Sequence, residues 1–321
     1  MSSAGLSAEL SRLCPGGVRR DVPLAQLSRW RIGGSADIVV EPGSAKELSA
    51  LRRFIAREGL ASVVIGDSSN LLFSDDGLRA ICIRIGARMS DVSLEGSLVH
   101  AQAGIWVPRL ARRVQKAGLT GLEHTCGIPG TLGGLICMNG GSQRKGVGSA
   151  VISVTAVGPD GAIRTFDRDG CGFAYRQSVF QHNHAAVASV TLGLALARDA
   201  AAIRREMLSI LRARSRKFPR KQPNCGSVFK SNPAMYAEIG PPGAAIERLG
   251  FKGYRIGDAL ISPQHANFFV NAGAARADDM VRLICEVGGA VHRATGYRME
   301  PEVRLVTEDG SIEPIPGYAA T

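Results

Sequence analysis

The sequence predicts a chain of mixed strands and helices built as two or three compact units. Three observations point there. A length of 321 residues with 45% hydrophobic and 21% charged side chains suits a soluble chain able to bury more than one core. Short apolar runs bounded by Gly, Pro, Asn and Asp read as strands, and a few stretches with period 3.6 read as helices. Near residues 198–204 the composition changes, and the chain turns helical and basic.

Residues 1–27 read as a weakly ordered lead-in. The segment Trp30-Arg31-Ile32-Gly33-Gly34 turns the chain into a strand over 38–41. Ser44 with Glu47 three residues on is a capping box, opening a helix that runs to about residue 58 and stops at Gly59. A strand over 62–65 ends in Gly66-Asp67-Ser68-Ser69-Asn70, and strand resumes over 71–73. Small and hydroxyl residues between two strands gather backbone N–H groups in one concavity, an anion nest suited to a pyrophosphate. No helix follows and the three-glycine spacing is missing, so it is not a Rossmann fingerprint.

Strands are expected over 80–85 and 98–103, and Pro108 suits the first turn of a helix lasting to about residue 117. Six glycines then fall within residues 127–141, in Gly127-Ile128-Pro129-Gly130-Thr131-Leu132-Gly133-Gly134 and Met138-Asn139-Gly140-Gly141. With apolar residues interleaved, they predict a packed turn whose bare main chain lets a flat ligand approach. Pro159-Asp160-Gly161 is a hairpin turn between strands over 152–158 and 162–167. A strand over 187–196 precedes a basic helix over 199–217. Beyond it come the Ser227 loop, a helix over 244–249 closed by Gly250, and a strand over 268–271. A helix over about 278–294 carries Gly288-Gly289, a pair that disfavours an unbroken helix by roughly 1 kcal/mol each. A strand over 302–306 closes the unit.

Net charge is +11, and Arg212, Arg214, Arg216, Lys217, Arg220 and Lys221 crowd ten positions. A nucleotide pyrophosphate, a nucleic acid and a plain solvated helix end all fit such a run. With 5% aromatic residues and none interleaved, a stacking platform for single strands is disfavoured. Seven scattered cysteines without a Cys-x-x-Cys pair argue against a zinc ribbon, an iron–sulfur cluster or a disulfide framework. Neither a signal peptide nor a membrane-length apolar run is evident, so a cytoplasmic protein is expected.

Eight short motifs then coincide in one order. They are Arg31-Ile32-Gly33-Gly34, Ser69-Asn70-Leu71-Leu72, Gly127-Ile128-Pro129-Gly130, Tyr175-Arg176-x-Ser178-Val179-Phe180, Gly226-Ser227-Val228-Phe229-Lys230, Lys252-Gly253-Tyr254-Arg255-Ile256-Gly257, His265-Ala266-Asn267-Phe268 and Glu300-Pro301-Glu302-Val303-Arg304. Together, over roughly residues 25–307, the chain resembles the UDP-N-acetylenolpyruvoylglucosamine reductase family, flavoenzymes of peptidoglycan synthesis, in the shorter type II form.

The resemblance implies a vanillyl-alcohol-oxidase-type FAD-binding module over 28–198. An α+β substrate domain over 199–307 and a tail over 308–321 would follow the lead-in and that module. It implies FAD as cofactor, NADPH as electron donor and a UDP-sugar substrate, with a monomeric protein and no nucleic-acid or membrane partner. Arg31, Gly33, Gly34, Gly66, Asp67, Ser68, Ser69, Asn70, Gly127, Ile128, Pro129, Gly130, Gly133 and Gly134 match the cofactor segments. Arg176, Ser227 and Glu302 match the catalytic arginine, proton-donating serine and glutamate. Tyr175, Lys230, Asn232 and His265 match substrate contacts, and the basic run before Ser227 would meet the UDP phosphates.

Three departures from the family pattern stand out. Ser68 replaces the second glycine of Gly-x-Gly-Ser-Asn and therefore needs a permitted backbone angle. Gly140-Gly141-Ser142-Gln143-Arg144-Lys145 adds charge beside the flavin region, and Ser231 is an extra residue before Asn232. A related flavoprotein acting on another nucleotide sugar of surface-polysaccharide synthesis is the alternative reading.

Overall fold

A computed structural model describes residues 3–197, 199–231 and 235–317. The chain packs as two units that interleave along the sequence. Unit 1 holds Met1–Arg20, Ile38–Asp67 and Ile81–Arg214, and unit 2 holds Asp21–Asp37, Ser68–Ala80 and Ser215–Thr321. The break falls inside the helix Ala200–Lys217, past the compositional change. Ile203, Met207 and Ile210 lie on one face of that helix and cluster with Ala111 and Cys126 of unit 1.

Among the described residues unit 1 carries two larger sheets besides two two-stranded pairings. Val39 and Val40 pair parallel with Cys82 and Ile83, and Ser62–Ile65 pairs parallel with Ile81–Arg84. A five-stranded antiparallel sheet has the order Ile163–Asp167, Val151–Val157, Ala186–Gly193, Leu98–Gln102, Val92–Glu95. The helix Ala45–Arg57 begins as expected, with Ser44 Oγ accepting from Glu47 N at 3.1 Å and Glu47 reaching back to Gly43 N at 2.7 Å. The helix Val107–Lys116 carries its proline in the first turn. The apolar run expected over 187–196 divides, because Ala195–Leu196 leaves the main sheet to pair with Leu119–Thr120.

The expected weakly ordered lead-in is corrected. Ser3–Leu13 is a helix and Val18–Pro23 a strand. Leu6, Leu10 and Leu13 recur at helical spacing, and Leu10 and Cys14 are buried in the core of unit 1. That apolar stripe outweighs the weak intrinsic propensity of the segment.

Unit 2 contains an antiparallel sheet in the order Asn224–Ser227, Phe268–Asn271, Ala259–Ile261, Arg255–Ile256. Leu71–Phe73 runs parallel to Arg304–Val306, which pairs antiparallel with Ile312–Glu313. The helix Ala277–Thr295 is unbroken despite Gly288-Gly289, since Met280, Leu283, Ile284, Val287 and Val291 bury a continuous stripe. Trp30 is fully buried in the same core and donates from Nε1 to Phe269 O at 2.8 Å.

Candidate active site

In unit 1 the glycine-rich turn leads into a short helix, Leu132–Cys137, which two glycines had hidden from sequence reading. Thr131 is buried and caps it, its Oγ1 accepting from Gly134 N at 3.4 Å. Gly66, at the tip of Ser62–Ile65, lies so close that a Cβ there would sit 2.3 Å from Thr131 Oγ1. Gly66 and the Gly127–Gly134 turn are therefore neighbours, with Thr131 between them. Gly130 has φ +138°, and its carbonyl accepts from Val107 N at 2.9 Å. Gly133 N donates to Ala103 O at 2.8 Å, and a Cβ at 133 would approach Ala103 Cβ to 3.1 Å. A Cβ at Gly127 would lie 2.5 Å from Arg214 Cδ, so one arginine of the basic run drapes over the turn.

The carbonyl at the end of that helix anchors the arginine segment. Cys137 O accepts from Ser178 Oγ at 2.7 Å and from Gln181 Nε2 at 2.9 Å, and Gln181 also donates to Arg176 O at 3.0 Å. Asn139 Nδ2 holds Ala174 O at 2.8 Å. Arg176 sits in a tight turn at φ +56°, with its guanidinium over the exposed Tyr175 ring at 5.9 Å. Gln143 and Arg144, both at positive φ, form the two-residue tip of a small hairpin pairing Gly141–Ser142 with Lys145–Gly146. Ser142 Oγ ties this hairpin to His124 O at 2.5 Å.

Unit 2 holds the remaining site residues. Arg31, at φ +57°, is fixed by Asn271 Nδ2, which donates to Trp30 O at 3.0 Å and to Arg31 O at 3.4 Å. A Cβ on Gly33 would lie 2.6 Å from Phe73 Cβ, and one on Gly34 2.3 Å from Asp75 O. Those two glycines thus have a packing reason independent of any cofactor. Ser68 keeps the backbone of the glycine it replaces, with φ +49°, and its buried Oγ has no hydrogen-bond partner among the described residues. A bare left-handed loop bearing a buried unused hydroxyl fits a phosphate-bearing group.

Asn70 and Glu302 meet through main chain. Asn70 Nδ2 donates to Glu302 O at 2.9 Å, and Asn70 O accepts from Arg304 N at 3.2 Å. Glu302 N in turn donates to Val228 O at 2.7 Å, next to Ser227. Cys225 Sγ packs on Ser68 O at 3.6 Å, which brings Ser68, Ser69, Asn70, Ser227 and Glu302 into one neighbourhood. Lys230 is ion-paired with Glu300. His265 packs between Phe218 and Phe268, at 5.2 and 5.0 Å, and its Nδ1 accepts from Asn267 N at 3.3 Å. Burial, with Lys217 and Lys252 pushing the same way, lowers its pKa to about 4, so at neutral pH it is an uncharged imidazole protonated on Nε2. Asn232, matched as a substrate contact, lies outside the described residues. All seven cysteines are free, and burial pushes the Cys137 thiol up to about 11. Among the described residues no helix is long and apolar enough to cross a membrane.

Comparison with known proteins agrees with this arrangement. Residues 36–167 match an FAD binding domain family, and residues 218–306 match the UDP-N-acetylenolpyruvoylglucosamine reductase C-terminal domain. UDP-N-acetylenolpyruvoylglucosamine reductase 1 of Corynebacterium glutamicum is 45% identical over 294 residues, spanning 92% of this chain and 88% of that protein. Reductase 2 of Symbiobacterium thermophilum is 39% identical, spanning 91% and 92%. The crystal structure of the Thermus caldophilus reductase superposes with a TM-score of 0.75 at 31% identity, covering 90% of this chain and 98% of that one. An FAD binding domain joined to a separate C-terminal unit of this reductase type defines an FAD-dependent oxidoreductase. The chain belongs to the UDP-N-acetylenolpyruvoylglucosamine reductase family of peptidoglycan synthesis.

Proposed function

We propose that this chain reduces the enolpyruvyl ether of UDP-N-acetylglucosamine enolpyruvate to the lactyl ether of UDP-N-acetylmuramate, with NADPH as electron donor, as a cytoplasmic monomer. The observation that carries this reading is 45% identity across nearly the whole chain to a reductase of that name, with all eight motifs in order. The proposed domains are the FAD module over 28–198 and the substrate domain over 199–307. Bound FAD, once reduced, supplies the hydride that the enolpyruvyl C3 accepts.

The rest falls to the protein. Hydride addition at C3 drives negative charge onto the substrate carboxylate, so groups that stabilise that charge act more on the transition state than on the ground state. Arg176 forks onto the carboxylate, and Glu302 acts with it on the developing charge. Ser227 Oγ delivers the proton to C2. The Gly66–Asn70 nest, the Gly127–Gly134 turn, Arg31, Gly33 and Gly34 hold the cofactor. Tyr175, Lys230, Asn232 and His265 contact the UDP-sugar, His265 offering an uncharged Nε2–H. The basic run up to Lys221 meets the phosphates.

Anaerobic reduction of the purified protein with NADPH, followed by the enolpyruvyl sugar, tests this reading. Rapid return of the oxidised-flavin band with formation of UDP-N-acetylmuramate is expected. A yellow protein that stays bleached would favour another nucleotide-sugar substrate. Ser227→Ala is expected to slow reoxidation at least 100-fold and flavin reduction by less than about threefold. An equal fall in both half-reactions would remove Ser227 from the proton-donor role.

A further inference from the structure

The strand carrying Ser227 is held by an unusual device. Asn224 and Ser227 pair with Val270 and Phe268 across a bulge, where Gly226 takes φ +80° and its N–H turns back to Asn224 Oδ1 at 3.0 Å. Beyond Ser227 the partner strand has ended, and a side chain takes its place. Asn267 is almost fully buried. Its Oδ1 accepts from Phe229 N at 2.9 Å and its Nδ2 donates to Phe229 O at 2.9 Å, while its own carbonyl accepts from Val228 N at 2.9 Å. One side-chain amide thus copies the paired N–H and C=O of a strand residue.

On the other edge of this segment Glu302 N donates to Val228 O at 2.7 Å and Lys230 N to Glu300 O at 2.8 Å, with Phe229 bridging Pro301. Asn267 therefore grips Val228 and Phe229, the residues after Ser227 that pair with the Glu300–Glu302 segment.

We propose that Asn267 is a positioning residue for the reaction: its side-chain amide, by replacing the missing strand beyond Ser227, sets the Ser227 hydroxyl and the Glu300–Glu302 segment in register for protonation of the substrate. This rests on the reading of Ser227 as proton donor. A one-residue slip past a bulge would swing a side chain to the opposite face, so a clamp immediately after the bulge decides where that hydroxyl points.

Asn267→Asp and Asn267→Ala in the flavin-loaded protein test it. The aspartate is isosteric, accepts from Phe229 N in either protonation state, and donates to Phe229 O only when protonated. The titratable and charged groups about it are His265 on its own turn, with Lys217, Lys252 and Glu247 facing that ring, and Lys230, Glu300 and Glu302 on the neighbouring segments. Those side chains remain in both variants, so comparing each with the parent cancels their titration.

For Asn267→Ala, reoxidation by the enolpyruvyl sugar is expected to slow at least 10-fold, with flavin reduction by NADPH within about threefold of the parent. Asn267→Asp should match that loss at high pH and regain most of the rate at low pH, relative to the parent at each pH. In a Ser227→Ala background, Asn267→Ala should cost clearly less than in the parent, because the hydroxyl it positions is gone and only its hold on the Glu302 segment is left.

Equal losses in both half-reactions, an Asn267→Asp profile parallel to the parent's, or full additivity with Ser227→Ala would each overturn the proposal. If instead the parent itself is not reoxidised by the enolpyruvyl sugar, the functional reading fails and not the clamp.

Discussion

Ser68 holds a left-handed backbone at φ +49° with a buried hydroxyl that finds no partner among the described residues. Both features oppose stability in the cofactor-free protein, the first by order 1 kcal/mol and the second by a similar amount. Ser68→Gly should therefore raise the stability of cofactor-free protein by about 1 kcal/mol, after the greater backbone entropy of glycine is set against the relieved strain. The same change should weaken FAD binding by about 3- to 10-fold if the hydroxyl donates to the pyrophosphate, which equilibrium titration of FAD would read. Stability unchanged and affinity unchanged together would make Ser68 a neutral substitute for glycine. The sequence shows that a serine stands where the family pattern has glycine. It does not show whether the loop bends away or keeps the glycine conformation, because neighbouring segments impose that angle. His265 is similar: its motif is legible, but its neutrality comes from Phe218, Phe268, Lys217 and Lys252, gathered by folding.

At the scale of elements, local signals that carry their own chemistry were readable. Ser44 with Glu47 starts its helix, Pro159-Asp160-Gly161 turns its hairpin with Gly161 at φ +77°, and Phe268–Asn271 is the strand expected. The helix Leu132–Cys137 was not readable, since its cap, Thr131, works against Gly66 of a remote strand. The helix Ala277–Thr295 gains a distant N-terminal partner as well. Asp75, some two hundred residues earlier, accepts from Ala277 N at 2.9 Å and from Asp278 N at 3.2 Å. A carboxylate on the first free N–H groups also opposes the positive end of the helix dipole. Asp75→Ala should lower the stability of the protein by about 1 kcal/mol in denaturant unfolding, with Asp75→Asn losing less. An unchanged midpoint in Asp75→Ala would show that water replaces the cap without loss.

For the whole molecule, the cofactor should be part of the stability. Ligand that binds only the folded chain stabilises it by about 2.7 kcal/mol at a free concentration 100 times Kd. Protein stripped of FAD should melt several degrees lower, and added FAD should restore the midpoint in a concentration-dependent way; a midpoint indifferent to FAD would contradict the cofactor role proposed for the Gly66–Asn70 and Gly127–Gly134 segments. By itself the sequence determined the α+β class, the FAD-dependent reductase family and most strands and helices, because apolar periodicity, caps and short motifs are local. Only the tertiary structure decided that residues 21–37 and 68–80 pack with the C-terminal segment, that the amino-terminal residues form a helix in the core of unit 1, and that Asn267 stands in for a strand. Each of those depends on partners far apart in the chain, such as Trp30 with Phe269 or Leu71–Phe73 with Arg304–Val306, and pairing at that distance leaves no periodic trace in either segment.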